Sequence, residues 1–278
     1  MVTKTTAQKY DDLLARLRGV PSLLVAFSGG ADSTFLLAAA QKAVVGRVLA
    51  VTARSPSFPA REAEHAGVTA RLLDAEHLFI TSHECEDRSF LANPPDRCYY
   101  CKSGLFADLR ELAARENLAA VADGTTADEL QGHRPGARAG AELKILSPLA
   151  DAALTKNEVR RLAREEGVPN FDRPPMACLA SRFPSGEEIT LAKLKVVEEA
   201  EDLLADLGFR QFRCRWHGPL ARLELGPQEL GRAAAAGVRK KITARLHELG
   251  FTYVTLDLDG YRSGSMHEGL SKDESGKE

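Results

Sequence analysis

The chain has 278 residues, 44% of them hydrophobic, and 37 Lys and Arg against 39 Asp and Glu give a formal net charge of −2. That length exceeds one comfortable core and points to two domains, and the near-neutral balance supplies no basic field for holding nucleic acid non-specifically. No apolar run approaches the roughly 20 residues of a membrane span, Met1–Tyr10 has no apolar signal core, and five cysteines are too sparse for a secreted disulfide scaffold, so the expectation is a cytoplasmic protein with thiol or metal chemistry.

In chain order, Leu23–Phe27 reads as a buried strand, Asp32 to Val45 as an Ala- and Leu-rich helix, and Val48–Thr52 as a second strand. Pro59 suits the first turn of a helix running to Leu73. His77–Ser82 is a third strand, Lys102 to Asn117 a helix and Ala119–Ala122 a fourth strand. Alternation of this kind predicts right-handed βαβ units on a mostly parallel sheet, with ligands at the carboxyl ends of the strands. Thr155-Lys-Asn-Glu158 has capping-box spacing and opens a helix that Gly167 stops. The proline-rich stretch from Asn170 to Gly186 has no periodicity and reads as a loop. A smaller α+β part follows: a helix from Thr190 to Leu207, strands Gln211–Trp216 and Leu220–Leu225, a helix from Pro227 to Leu249 interrupted near Gly237, and a strand Phe251–Leu258. The expected organisation is therefore residues 1–175, 187–265 and a polar, disordered tail over 266–278.

The strongest chemical signal is Ser28-Gly-Gly-Ala-Asp-Ser33, between a strand and a helix. Two glycines let the backbone approach an anion, the helix start offers unpaired N–H groups, and Ser28 and Ser33 add hydroxyl donors. No lysine follows the glycines, so this is not a Walker A loop. Asp32 beside phosphates requires a divalent cation between them, which implies Mg²⁺. The plain alternative is a Gly-Gly turn with Asp32 or Ser33 as a helix cap. Asp123-Gly-Thr-Thr-Ala-Asp128 also follows a strand and faces the same crevice, unless it is only an Asp-Gly turn.

Cys98-Tyr-Tyr-Cys101 places two thiolates on one side of a turn, beside a helix start that favours thiolate. A third cysteine, Cys178, lies in the irregular Arg173–Arg182 segment. Three cysteines with an open fourth position suit a [4Fe–4S] cluster better than zinc; unrelated thiols or a redox pair are the alternatives. Cys85 is placed at a strand end, and Cys214, between Arg213 and Arg215, in a packing role. Arg213 and Arg215 share one strand face, with Arg222 and Glu224 on the next strand; an ion-pair ladder is the bland reading. Lys102 and Arg182 are either phosphate contacts or solvated charges, and Trp216 and His217 are packing and turn residues.

The hexapeptide is similar to the PP-loop, S-G-G-x-D-S, of ATP pyrophosphatases, which release pyrophosphate from ATP and adenylate a substrate oxygen. That resemblance implies a Rossmann-like, adenine nucleotide alpha hydrolase type of α/β sheet, with Ser28, Gly29, Gly30, Asp32, Ser33, Thr52 and Gly124 around ATP. Together with Arg97-Cys-Tyr-Tyr-Cys-Lys102, Asp123–Asp128, Arg134-Pro-Gly136, Ser147-Pro-Leu149, Cys178-Leu-Ala-Ser-Arg182 and Arg213-Cys-Arg-Trp-His217, the loop resembles the LarE family of ATP-dependent sulfur transferases across residues 10 to 262. The family builds the nickel-pincer cofactor of lactate racemase. The resemblance implies adenylation of a carboxylate of pyridinium-3,5-dicarboxylate mononucleotide, then displacement of AMP by sulfur to leave a thiocarboxylate. It implies catalytic roles for Cys178, Asp32 and Arg182, a substrate site with Glu201, Glu224 and the Arg213–Arg215 pair on a phosphate, and a homo-oligomer. Some members sacrifice the sulfur of the late cysteine; others carry a cluster, and Cys98, Cys101 and Cys178 favour the second type. The rivals are a PP-loop tRNA thiolase, against which stands the lack of basic surplus, an amide-forming ligase, and a non-catalytic nucleotide-binding module.

Overall fold

The apolar runs Leu23–Ala26, Val48–Arg54, Glu76–Thr81 and Ala120–Ala122 form strands β1 to β4. They belong to a computed structural model that describes residues 4–130, 135–175, 177–262 and 264–267. Two compact units divide the chain, Met1–Asp87 with Asp96–Met176 and Arg88–Pro95 with Ala177–Glu278. Arg134 and residues 268–278 of the expected tail lie outside the described residues, while Ser265–His267 form a 3-10 turn.

In the first unit the order is β3-β2-β1-β4, every neighbouring pair parallel, with Val25 opposite both Ala50 and Ala122. Parallel neighbours need crossovers, supplied by the helices α2 (Ala31–Ala43), α3 (Ala60–Leu72) and α4 (Arg97–Arg115). A helix α1 (Thr6–Arg18) precedes them and α5 (Lys156–Glu165) follows. Alternate strand residues serve opposite faces. Leu23 and Val25 pack with Leu13, Leu17, Phe35, Val159 and Leu162, and Leu24 packs with Leu49, Phe106, Leu109 and Val121. Each such leucine contributes about 1.5–3 kcal/mol by leaving water. The chain runs outward from β1 to β3, then returns to the other side of β1 as β4. The ends of β1 and β4 therefore emerge side by side at the reversal, where doubly wound sheets open their crevice.

Three features of the first unit differ from the sequence expectation. Helix α1 was not foreseen, although Thr5 and Gln8 form a capping box at its start and Leu13, Leu14 and Leu17 make a buried stripe. It docks through Glu158 of α5, which accepts from Thr6 Oγ1 at 3.0 Å and Lys9 Nζ at 2.8 Å. Helix α4 begins at Arg97, ahead of the expected Lys102, so Cys98 and Cys101 lie on the helix itself. Short helices also form at Pro135–Glu142 and Pro148–Asp151.

The second unit holds α6 (Leu191–Asp206), whose cap Thr190 Oγ1 accepts from the Lys193 N–H at 3.2 Å. Strands β5 (Phe212–His217) and β6 (Leu220–Leu225) form an antiparallel hairpin turned at Gly218, φ +62°. Helix α7 (Ala236–Glu248) then leads to β7 (Tyr253–Leu256), which runs parallel to β6 in the order β5-β6-β7. The break expected near Gly237 falls at Ala235, whose extended ψ of 134° ends the preceding Leu230–Ala234 turn. Arg88–Pro95 joins this unit: buried Asn93 donates to the carbonyls of Pro184 at 2.7 Å and Glu187 at 3.1 Å. Among the described residues no helix is long and apolar enough to cross a membrane.

Candidate active site

The loop after β1 is bound by its own hydroxyls. Ser28 and Ser33 Oγ lie 3.1 Å apart, the Gly30 N–H donates to Ser28 Oγ at 3.4 Å, and Ser33 Oγ donates to the Gly30 carbonyl at 3.2 Å. Gly29 sits at φ +72°, and a Cβ there would lie 2.7 Å from Ala66 Cα of α3. Glycine is required on both counts. Gly30 is the N-cap of α2 and makes no side-chain cap bond, so the first N–H groups of the helix are left to a ligand.

Asp32 stands in the first turn of α2, and its Oδ1 is buried without a hydrogen-bond partner. Burial pushes its carboxyl up to about 6; Lys156 and Arg160 pull the other way, and Glu129 and Asp128 add to the rise. An orphaned carboxylate oxygen beside a helix N-terminus is the donor type that a hard divalent cation takes. Asp32 thus fits Mg²⁺ and does not act as a hydrogen-bonded helix cap.

After β4, Asp123 organises its own loop. It accepts from the Thr125 N–H at 3.1 Å, Thr125 Oγ1 at 2.7 Å, Ser147 Oγ at 2.9 Å and Lys102 Nζ at 3.3 Å. Gly124 lies against the start of α2: a Cβ there would meet Ser33 N at 2.9 Å. The two loops expected at one crevice are thus in van der Waals contact. Thr52 is buried, donates to the Phe27 carbonyl at 2.6 Å and stands 2.8 Å from His77 Nε2. It braces the foot of the loop.

A buried carboxylate at the ends of β2 and β3 escaped the sequence reading. Glu84 accepts from Ser57 Oγ at 2.5 Å and Ser82 Oγ at 2.6 Å, and also from Ser55 Oγ. Burial acts to raise its pKa, but the three hydroxyls outweigh it and hold the group below the usual range. Ser55-Pro-Ser57 after a strand was the available signal. Cys85, expected at a strand end, lies in the 3-10 turn Glu84–Glu86.

All five cysteines lie outside disulfides. Cys98 is exposed and Cys101 half-buried, one helical turn apart at the start of α4. That spacing suits two ligands of one metal centre. Among the described residues no group of three or more His, Cys, Asp or Glu side chains is gathered as for a metal ion.

In the second unit, Cys178 caps the 3-10 turn Leu179–Arg182. Arg182 is fully buried, neither a surface charge nor a solvated one. Its Nε and one terminal nitrogen pair with Glu201 at 2.8 and 2.7 Å, and the other terminal nitrogen reaches the carbonyls of Ala177 at 2.9 Å and Cys178 at 3.0 Å. Burial opposes its charge and Glu201 outweighs that, leaving the pKa raised. Arg215 and Glu224, also buried, pair at 2.7 Å; Arg215 donates further to the Ser181 carbonyl and Ser265 Oγ. Arg222 bridges Glu224 and Asp257. Arg213 is buried, donates to the Phe212 carbonyl at 2.6 Å and stacks 4.9 Å from the Tyr261 ring centroid. Burial, with Arg182 adding to it, draws Arg213 down to about 10. The charged side chains of β5 and β6 thus form a buried ionic network and not the surface ladder of the bland reading. Cys214 is fully buried beside it, which pushes its thiol up. Trp216 packs between Phe183 and Phe251, a packing role as expected.

No family model matches the chain. Single relatives do. The chain is 38% identical over 270 residues to the pyridinium-3,5-bisthiocarboxylic acid mononucleotide synthase of Lactiplantibacillus plantarum, a match covering 96% of this chain and 97% of that protein. It is 39% identical over 249 residues to an uncharacterized protein of Synechocystis sp., covering 90% and 93%. Against one chain of the glutamine-hydrolyzing GMP synthase of Methanococcus vannielii it is 26% identical over 220 residues, covering 72% and 67%.

Proposed function

The chain belongs to the pyridinium-3,5-bisthiocarboxylic acid mononucleotide synthase (LarE) family, and from that premise we propose that it adenylates the carboxylates of pyridinium-3,5-dicarboxylate mononucleotide and converts them to thiocarboxylates. The product belongs to the making of a nickel-pincer cofactor. The observation that carries this reading is Asp32, whose Oδ1 is buried without a hydrogen-bond partner beside the glycine-rich helix start.

In the proposed chemistry a substrate carboxylate oxygen attacks the α-phosphorus of ATP and pyrophosphate leaves. Sulfur then attacks the acyl carbon, and AMP departs with the original carboxylate oxygen. The Gly30 amide, the Ser28 and Ser33 hydroxyls and the first turn of α2 bind phosphate oxygens. Mg²⁺, when held by Asp32, neutralises charge between that carboxylate and the phosphates. Residues 1–175 take ATP, and residues 187–265 take the mononucleotide. There the Arg213–Arg215 pair is proposed for the substrate phosphate, which a planar guanidinium can meet with two parallel hydrogen bonds.

For sulfur we propose the cluster route. Cys98 and Cys101 would supply two ligands and Cys178 the third of a [4Fe–4S] cluster, which would supply an external sulfide as the sulfur. The i, i+3 placement of the first two supports this. Anaerobic reconstitution with iron and sulfide tests it: wild type holding no more iron than the triple Cys→Ala variant removes the cluster. In that case Cys178 Sγ itself is the nucleophile, and loss of its Cα proton with departure of the thiocarboxylate leaves dehydroalanine. Mass spectrometry of the chain after turnover separates the routes. We also propose a homo-oligomer, measurable by light scattering. The function as a whole is tested by incubating the protein with ATP, Mg²⁺ and the mononucleotide: AMP, pyrophosphate and a thiocarboxylate are expected.

A further inference from the structure

We propose that Asn170 is a positioning residue of the phosphate loop: its side-chain amide fixes the Gly29–Gly30 peptide so that the Gly30 N–H, and not the Gly29 carbonyl, faces the anion. The inference rests on the reading of Ser28–Ser33 as a phosphate cradle.

Asn170 Nδ2 has two protons and two acceptors, the Gly29 carbonyl at 3.4 Å and the buried Thr69 Oγ1 of α3 at 2.8 Å. In a planar trans peptide the carbonyl and the following N–H point in opposite directions. Drawing the Gly29 carbonyl toward Asn170 therefore aims the Gly30 N–H the other way, where it meets Ser28 Oγ. The next peptide needs no such help, because the Gly30 carbonyl is held by the Thr34 N–H at 2.9 Å within α2. The Gly29–Gly30 peptide precedes the helix and joins two residues that resist rotation least. Reversed, it would turn a carbonyl oxygen on a phosphate.

The donor is itself anchored. Asn170 lies at φ +67°, a conformation that Asn and Gly accept and most residues do not. Its carbonyl accepts from the Arg173 N–H at 3.1 Å. Arg173 reaches Glu62 of α3 at 2.8 Å, and its own carbonyl accepts from Arg160 of α5 at 3.0 Å. Two helices thus deliver one amide to one carbonyl.

Asn170→Gly and Asn170→Asp both accept the backbone conformation; the first removes the amide and the second replaces a donor with an acceptor. The full-length protein is titrated with Mg²⁺–ATP, and KM is measured for ATP and for the mononucleotide. Loss of the bond and partial reversal of the peptide are expected to weaken ATP binding about tenfold in Asn170→Gly, and further in Asn170→Asp. KM for the mononucleotide and the unfolding midpoint stay near wild type. Wild-type ATP affinity in either variant overturns the proposal, as does equal weakening toward both substrates, which marks general damage. Wild-type protein that neither binds nor cleaves ATP overturns the cradle itself, and this inference falls with it; that outcome is read from the wild type alone, before any variant.

Discussion

Arg182 and Glu201 form a two-pronged pair, 2.8 and 2.7 Å, in which the guanidinium has no exposure to solvent. The remaining arm of the same guanidinium holds the Cys178 carbonyl at 3.0 Å. An ion pair to Glu201 of α6 thus anchors the turn that begins at Cys178.

Removing one member of a buried pair strands the other charge. Arg182→Met is expected to lower stability by about 3–5 kcal/mol, read from urea unfolding. The double variant Arg182→Met, Glu201→Leu recovers part of that loss, because the stranded carboxylate is gone while the Cys214 N–H loses Glu201 as its acceptor. Sulfur transfer does not recover with it, since the Cys178 carbonyl then keeps only the bonds from Ser181 of its own turn and is no longer tied to α6. A double variant as active as wild type would show that the pair serves stability alone.

Asp32 offers the opposite case, a group whose charge harms the unliganded fold. Its folded pKa of about 6 lies above the ordinary carboxylate value. A raised carboxyl contributes stability that is complete below about pH 4 and lost as pH rises through 6. Asp32→Asn is therefore expected to be more stable than wild type by about 1–3 kcal/mol at pH 7, with the difference closing below pH 4. The same variant loses pyrophosphate release. For wild type, ATP affinity in the presence of Mg²⁺ rises with pH through about 6, as the carboxylate forms.

Gly124 separates close approach from mere flexibility. A Cβ there meets backbone, Ser33 N at 2.9 Å and Ser33 Cα at 3.1 Å, which cannot swing aside. Gly124→Ala should cost about 1–3 kcal/mol and impair ATP cleavage. Gly104, inside α4 with nothing near its would-be Cβ, is the control: Gly104→Ala should gain about 0.5–1 kcal/mol. Equal thermal shifts in the two variants would contradict the contact.

Thiol reactivity should follow exposure. Cys98 is exposed, and Cys214 is fully buried with its thiol pushed up. Timed alkylation of the native protein, read by peptide mass spectrometry, is expected to mark Cys98 early and Cys214 only after unfolding.

The sheet was legible because Leu23–Ala26 and 48–51 are short apolar runs without alternation, as strands covered on both faces of a parallel sheet are. The phosphate loop was legible because its chemistry is local: strand, two glycines, helix start. Helix α1 was hidden by the polar opening of the chain, and only its Thr5–Gln8 cap announced it. The early start of α4 was missed because Cys-x-x-Cys reads as a turn, yet nothing from Arg97 to Cys101 breaks a helix. The burial of Arg213 and Arg215 could not be read from alternation, which gives a shared face and not what covers it. Glu84 and Asn170 act across long sequence separations, on Ser55 and on Gly29, and no local pattern marks such partners.

The central claim is that the loop between β1 and α2 grips ATP so that a carboxylate can be activated. The most direct measurement is product analysis after one turnover with Mg²⁺, ATP and pyridinium-3,5-dicarboxylate mononucleotide. Equal amounts of AMP and pyrophosphate, absent with Asp32→Asn, are the expected result. ADP and phosphate, or intact ATP beside a fully folded wild-type protein, would contradict it.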